Sequence, residues 1–333
     1  MPSIVPVTVN SPAKLNLSLR LLHRRQRDTY TELHSVVALL QWYDFLTFTP
    51  HFQSEMQGES QSAVPAIQFV CSNVALAAEA PTSNLVYRAI ALFYQSVPVA
   101  VLPLQARPYQ WHVLLQKNIP FQAGLGGGSS NAASTLRFLN QWHATHQEIT
   151  CFSPEALQAL GAMLGSDVPL FLTPEEVSLV CMTGRGEHII PLPLQATNSL
   201  KGVYCVVIKP NTVAVSTALA FNLLHQQQCY SKVTPAEQTM WLAALQTGTP
   251  LWQLTPHLVN EFEPLIWQLE PSLQHLMQQL QALGAFHTLL CGSGSAVAGL
   301  FVNTELPVLQ ATVQQAFSCT VYTYQIVPFV GCY

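Results

Sequence analysis

The residues most suggestive of chemistry lie between Pro120 and Ala133, which read Pro-Phe-Gln-Ala-Gly-Leu-Gly-Gly-Gly-Ser-Ser-Asn-Ala-Ala. Four glycines within five residues (Gly124, Gly126, Gly127 and Gly128) permit positive φ angles and a close approach of backbone to ligand. Ser129, Ser130 and Asn131 are helix N-cap types. They open a segment with Ala132, Ala133, Leu136, Leu139 and Trp142 on one side. Free N–H groups at the positive end of a helix dipole make a cradle for phosphate, and a missing side chain at Gly127 would keep its channel open. A flexible glycine turn before a capped helix is the plainer alternative. The loop is not a Walker A motif, because no Lys-Ser or Lys-Thr follows the glycines. It is not a dinucleotide fingerprint either, since no acidic residue follows at the expected distance.

Phosphoryl transfer also needs charge compensation and a group to orient the attacking hydroxyl. Asp167, in Gly165-Ser166-Asp167-Val168-Pro169, is the acidic candidate. Its apolar neighbours make an unpartnered carboxylate costly, although this segment taken alone favours a turn or N-cap aspartate. Lys14 is the cationic candidate, inside the alternating run Ala13, Leu15, Leu17, Leu19 and beside Asn16. The competing reading is a solvated lysine on a strand edge.

The elements that must hold these residues are read from periodicity. Alternation predicts strands through Val5, Val7 and Val9, again from Ala13 to Leu19, then over 36–40, 45–48, 111–115 and 203–208. Helical spacing after Thr82 and Asn84 joins Leu85, Ala89, Leu92 and Phe93. Ser153-Pro154-Glu155 starts another helix, with Gly161 or Gly165 as its stop. A short helix is expected over 217–224 and a longer one over 271–283, closed by Gly284. Apolar runs at 288–291 and 296–301 flank Gly292-Ser293-Gly294-Ser295, which reads as a hairpin turn. Residues 53–63 are polar and read as an exposed loop. Aperiodic residues 192–201 mark the expected boundary between domains 1–199 and 200–333. Strands first with helices interspersed, and no strict β-α-β alternation, indicate an α+β fold.

Composition narrows the function. Of 333 residues 49% are hydrophobic and 9% charged, which suits a buried globular body and not a disordered chain. Thirteen Lys and Arg against seventeen Asp and Glu give a net charge of −4, so no general field attracts nucleic acid or an anionic membrane. No apolar run approaches the ~20 residues that span a bilayer, and the first residues lack a secretory pattern. Eight cysteines without a C-x-x-C pair fit reduced thiols in the cytoplasm better than zinc or disulfides. Histidines such as His225, His257 and His275 lack metal-ligand spacing and read as core or surface residues. Arg185, between two glycines, could position a substrate group, and the plainer reading is a surface turn residue.

Five segments, in order, resemble those of the GHMP small-molecule kinases: Ser11-Pro-Ala-Lys-Leu-Asn16, residues 120–133, Gly165-Ser-Asp-Val-Pro169, Thr183-Gly-Arg-Gly-Glu187 and Gly292-Ser-Gly-Ser295. Within that superfamily the first three are most similar to the branch acting on a cytidine diphosphate derivative. The resemblance implies a two-domain fold, with an N-terminal α/β sandwich-like domain and a ferredoxin-like C-terminal domain. It implies ATP and Mg²⁺ as cofactors and a small-molecule substrate. Homoserine or mevalonate kinases, or a silent nucleotide-binding relative, are the alternatives. No nucleic acid or membrane partner is expected, and the chain would be a monomer or homodimer.

Carried over by position, Asp167 matches the catalytic aspartate that takes the substrate's hydroxyl proton, and Lys14 the lysine beside it. Pro120, Gly124, Leu125, Gly126, Gly127, Gly128, Ser129 and Ser130 match the segment that wraps the ATP phosphates. Asn16, Thr31, Thr217, Gly292, Ser293 and Gly294 fall at substrate positions. Tyr30 and Phe221 match aromatics on opposite sides of the cytosine, where stacking is worth ~1–3 kcal/mol. The family pattern Asp-Gly-Tyr-His-Glu-Leu is here Asp28-Thr29-Tyr30-Thr31-Glu32-Leu33. Threonine thus replaces the histidine that helps read the base edge, and its hydroxyl is too short to span the same gap.

Overall fold

Strand β1 (Val7–Arg24) and strand β2 (Thr31–His51) open the chain, each joining two of the expected strands into one: β1 runs on through Pro12, with Val5 outside it and exposed, and β2 spans both 36–40 and 45–48. They are followed by β3 (Ala66–Cys71), the short helix α1 (Val74–Ala77), α2 (Leu85–Ser96), β4 (Gln110–Gln116), α3 (Gly127–Gln147) and α4 (Pro154–Leu164). Next come β5 (Leu179–Gly184), β6 (His188–Pro191), β7 (Val203–Pro210), α5 (Thr217–Gln227), α6 (Pro235–Gln246), α7 (Glu263–Leu269) and α8 (Pro271–Ala282). The last are β8 (His287–Leu290), β9 (Val297–Val302), α9 (Leu306–Phe317) and β10 (Tyr322–Pro328). This computed structural model describes residues 5–25, 30–52, 62–78, 80–174, 176–302, 304–317 and 321–331. Asp28, Thr29 and most of the polar stretch 53–63 lie outside them.

The chain forms two compact units interleaved along the sequence: Met1–Pro12, Tyr43–Ile119 and Gly127–Leu172 in the first, and Ala13–Trp42, Pro120–Gly126 and Thr173–Tyr333 in the second. In the first unit the Phe45–His51 end of β2 pairs antiparallel with β4, which pairs parallel with β3. The β3-to-β4 crossover carries α2, whose N-cap Asn84 accepts from the Val86 N–H. Helix α3 buries Ala132, Ala133, Leu136 and Leu139 completely. Its Phe138 stacks on Phe48 at 4.1 Å, and Trp111 meets Trp142 edge-on at 5.3 Å. These large rings fix α3, and hence its first turn, against the sheet.

In the second unit the 33–38 segment of β2 pairs with β5, and β5 with β6, all antiparallel. A separate sheet has the order β10-β7-β9-β8, antiparallel throughout. With helices between β7 and β8 and between β9 and β10, this is the ferredoxin-like arrangement. Leu273, Leu276, Met277 and Leu280 of α8 pack with Val206, Ile208, Val297, Phe301 and Val313 in one core, as the 3.6-residue stripe predicts. Gly284 follows α8 with φ +99°, the conformation that ends it. Helix α6 was not predicted, although Thr234 and Glu237 form a capping box at its start.

Candidate active site

In the second unit Lys14 is buried, 5% exposed, which rules out the solvated strand-edge reading. Its Nζ donates to Asn16 Oδ1 (2.6 Å), Asn16 Nδ2 donates to Ser35 Oγ (2.9 Å), and Ser35 Oγ donates to the Ser18 carbonyl (2.6 Å). This chain of donors fixes the Lys14 and Asn16 side chains of β1 against Ser35 of the neighbouring β2. The Lys14 N–H donates to the Leu125 carbonyl (3.0 Å), so the strand also holds the glycine loop.

The turn between β8 and β9 packs on that same loop. Ser295 Oγ donates to the carbonyls of Gln122 (3.3 Å) and Val213 (2.8 Å). Asn260 Nδ2 donates to the carbonyls of Leu290 (2.7 Å) and Gly292 (2.6 Å), and Glu263 Oε1 accepts from the Leu290 N–H (2.9 Å). Ser293 Oγ is 2.8 Å from Thr217 Oγ1. Lys14, Asn16, Gly124, Leu125, Gly292, Ser293 and Thr217 are thereby gathered into one network, and Gly294 sits in the same turn against Val215. The 292–295 segment is thus the hairpin turn expected from the sequence and also a brace for the glycine loop. Burial pushes the adjacent Cys291 thiol up to about 12 despite the pull of Lys14, so it stays a neutral thiol.

Gly124 is indispensable to this packing. A Cβ there would lie 1.7 Å from the Cys291 carbonyl oxygen, at a φ of +74° that L residues rarely adopt. Gly124→Ala is expected to cost at least ~2–3 kcal/mol, overpacking and left-handed strain combined. A urea titration checks this, and a variant within 0.5 kcal/mol (about the size of a neutral surface change) would contradict the close approach.

A second cluster of the same unit surrounds Tyr30, which is 54% exposed. The Arg185 guanidinium lies 4.8 Å from the Tyr30 ring centroid and its Nε 3.6 Å from Glu187 Oε1. Arg185 sits in the surface turn the sequence suggested and partners Tyr30 from there. Phe221, on α5, meets Phe262 edge-on at 5.0 Å. Thr31 is 5% exposed, with its Oγ1 3.4 Å from His225 Nε2.

In the first unit, α3 begins at Gly127, two residues earlier than its cap-type residues suggested. Gly126, with φ +70°, makes the break. Ser129 and Ser130 therefore lie inside the first turn, and Asn131 just after it. Ser130 is fully buried with its hydroxyl donating to Ser11 Oγ (3.4 Å), while Gly128 is exposed and Ser129 half-buried. The first-turn N–H groups have no intrahelical acceptor. Gly127 faces the protein: a Cβ there would meet Lys117 Nζ at 2.7 Å and Ile119 Cγ2 at 3.1 Å. The demand for glycine at 127 thus comes from packing, and not from an open channel as the sequence suggested. Asp167 is half-buried in the turn between α4 and the 3-10 segment Pro169–Leu172. Val168 beside it seats against Gly161, where a Cβ would come to 3.1 Å, and this contact sets the turn.

Sequence reasoning missed the polar group beneath the start of α3. Asp44 is fully buried and ion-paired with Lys117. It also accepts from the N–H groups of Asn118 and Ile119 (both 2.8 Å) and from Asn131 Nδ2 (2.9 Å). The available signal was an aspartate among the apolar residues of β2.

Residues 84–174 match the model of the GHMP kinases N terminal domain. The 4-diphosphocytidyl-2-C-methyl-D-erythritol kinase of Acinetobacter baumannii is 33% identical, over 87% of this chain and 86% of its own. That of Chloroherpeton thalassium is 34% identical over 90% of both. A solved 4-(cytidine 5'-diphospho)-2C-methyl-D-erythritol kinase superposes with a TM-score of 0.69 at 26% identity, covering 97% of this chain and 99% of the other. Fold and matched segment together define a small-molecule kinase of the GHMP class. At this level of identity and coverage the chain belongs to the 4-diphosphocytidyl-2-C-methyl-D-erythritol kinase family.

Proposed function

We propose that the chain transfers the γ-phosphoryl group of ATP to the 2-hydroxyl of 4-diphosphocytidyl-2-C-methyl-D-erythritol, a step of non-mevalonate isoprenoid synthesis. The observation that carries this reading is the network joining buried Lys14 and Asn16 to the glycine loop and the 292–294 turn. The nucleotide's phosphates lie along Pro120, Gly124, Leu125, Gly126, Gly127, Gly128, Ser129 and Ser130, against the first-turn amides of α3. Asp167 accepts the hydroxyl proton as the O–P bond forms and the bond to the β-phosphate oxygen breaks, releasing ADP. Lys14 offsets the developing negative charge. Residues before 199 thus supply the phosphate loop and the acid–base group. Thr217, Phe221, Gly292, Ser293 and Gly294 come from the chain beyond it and, with Asn16, Tyr30 and Thr31, bind the substrate.

Mg²⁺, when bound, neutralises phosphate charge. Among the described residues no three His, Cys, Asp or Glu side chains gather as a metal cage. Such a donor set fits an ion carried by substrate phosphates with one or two protein carboxylates, of which Asp167 is the candidate. The six described cysteines are free thiols, and no described helix is long and apolar enough to cross a membrane. A cytoplasmic enzyme fits both.

The test is ADP release from Mg-ATP with 4-diphosphocytidyl-2-C-methyl-D-erythritol, mevalonate or homoserine as acceptor. Turnover is expected with the first alone. Turnover confined to another acceptor, or to none, overturns the reading.

A further inference from the structure

Thr31 stands where the family pattern carries a histidine, and at 5% exposed its short side chain offers a ligand less reach than an imidazole would. What covers it is an imidazole from elsewhere in the chain. His225 lies one turn after Phe221 on α5, so both project from one face, with ring centroids 6.4 Å apart. Ala220 and Leu224 are fully buried and set the helix's rotation. His225 Nδ1 is 2.9 Å from Tyr230 Oη, and Nε2 is 3.4 Å from Thr31 Oγ1. Gln228, in the left-handed conformation, turns the chain after α5, and the Ser231 N–H then donates to the Leu21 carbonyl (2.7 Å). Tyr230 is therefore itself anchored to β1. The Thr31–His225 contact is where the start of β2, next to Tyr30, meets the helix bearing Phe221, the two aromatics assigned to the base.

We infer that His225 is the residue that reads the cytosine edge, taking the part that a side chain at position 31 is too short to play. The inference rests on the substrate proposed above. Burial holds the His225 imidazole below its ordinary pKa, with the charge of Arg24 adding to the effect, so the ring is neutral near pH 7. A neutral imidazole has one N–H and one lone pair, and the partner of one nitrogen decides the state of the other. With the Tyr230 hydroxyl, 2.9 Å away, as the donor to Nδ1, the ring proton is placed on Nε2. At Nε2 of this half-buried ring the Thr31 hydroxyl offers only a long contact, 3.4 Å. Cytosine presents two acceptors along its edge, O2 and N3. Uracil has a proton on N3, which opposes an N–H donor. A fixed Nε2–H thus selects cytosine over uracil.

The test compares wild type, His225→Ala, Thr31→His and the double variant on the cytidine substrate and its uridine counterpart, with thermal melts as a control for folding. His225→Ala is expected to lower kcat/KM for the cytidine form about 10–100-fold, mostly through KM, since the lost bond helps binding. The cytidine-to-uridine preference should collapse with it. Adding Thr31→His to His225→Ala should restore most of the loss, because an imidazole from the strand then fills the vacated space. Thr31→His alone should crowd His225 and raise KM. Tyr230→Phe, which frees the tautomer, should lower the base preference and raise KM for the cytidine form. An active wild type whose His225→Ala variant keeps both KM and base preference overturns the inference and leaves the kinase reading intact. A wild type inactive on the cytidine form overturns the kinase reading, and this inference with it.

Discussion

Asp167→Asn lowers kcat by at least ~10², the lower end of what a positioned general base contributes, and leaves the affinity for ATP unchanged. The amide is nearly the same size as the carboxylate, and the turn is set by its neighbours: Val168 seats on Gly161, and the Val168 N–H donates to the Gly165 carbonyl (3.2 Å). Asparagine therefore keeps the size and the turn while losing the negative charge and the capacity to accept a proton. A group acting in the transition state lowers kcat and kcat/KM together, whereas a binding contact raises KM. Steady-state kinetics with both substrates, beside a nucleotide titration, separates the two. Normal turnover by Asp167→Asn would remove the base assignment, and a loss confined to KM would turn Asp167 into a binding residue.

Much of this site was legible because its parts are local. Glycines crowded before an amphipathic stretch, and Ser153-Pro154-Glu155 before another, fix the starts of α3 and α4 within two residues, since capping depends on neighbours a few positions apart. The stripe from Leu273 to Leu280 likewise predicts α8 and its buried face. Lys14 drew attention through its rarity in an alternating strand, yet its burial follows from Asn16 and Ser35, which periodicity does not report. What escaped were pairings over long separations. Asp44 and Lys117 are 73 positions apart, and Thr31 and His225 are 194 apart. No spacing rule links such residues. His225 was dismissed because metal spacing is the only local test a histidine offers. Ser130 shows the converse error: a correct residue type for a cap was assigned to the end of a helix that Gly126 had already begun.

The Asp44 group carries the largest effect expected on stability. Four donors converge on one fully buried carboxylate, and the Lys117 side chain is itself only 4% exposed. Burial pulls the Lys117 pKa down, and the charge and hydrogen bond of Asp44 oppose that pull. Asp44→Ala therefore leaves a buried ammonium without its counter-charge and strips an acceptor from two backbone N–H groups. The expected cost is ~3–5 kcal/mol, as for other buried pairs broken on one side. Lys117→Met removes the other charge but leaves three donors to hold Asp44, and should cost less. The double variant, with no unpaired charge, should be more stable than Asp44→Ala alone, a coupling that a double-mutant cycle in urea measures. Because Gly127 rests against Lys117 Nζ, the first turn of α3 rests on the same group. Asp44→Ala should then weaken ATP binding even at temperatures where it stays folded, while Lys117→Met, which keeps an apolar stem beneath Gly127, should weaken it less. Equal ATP affinity in all three variants would detach the ion pair from the phosphate site and leave it a purely structural element of the sheet.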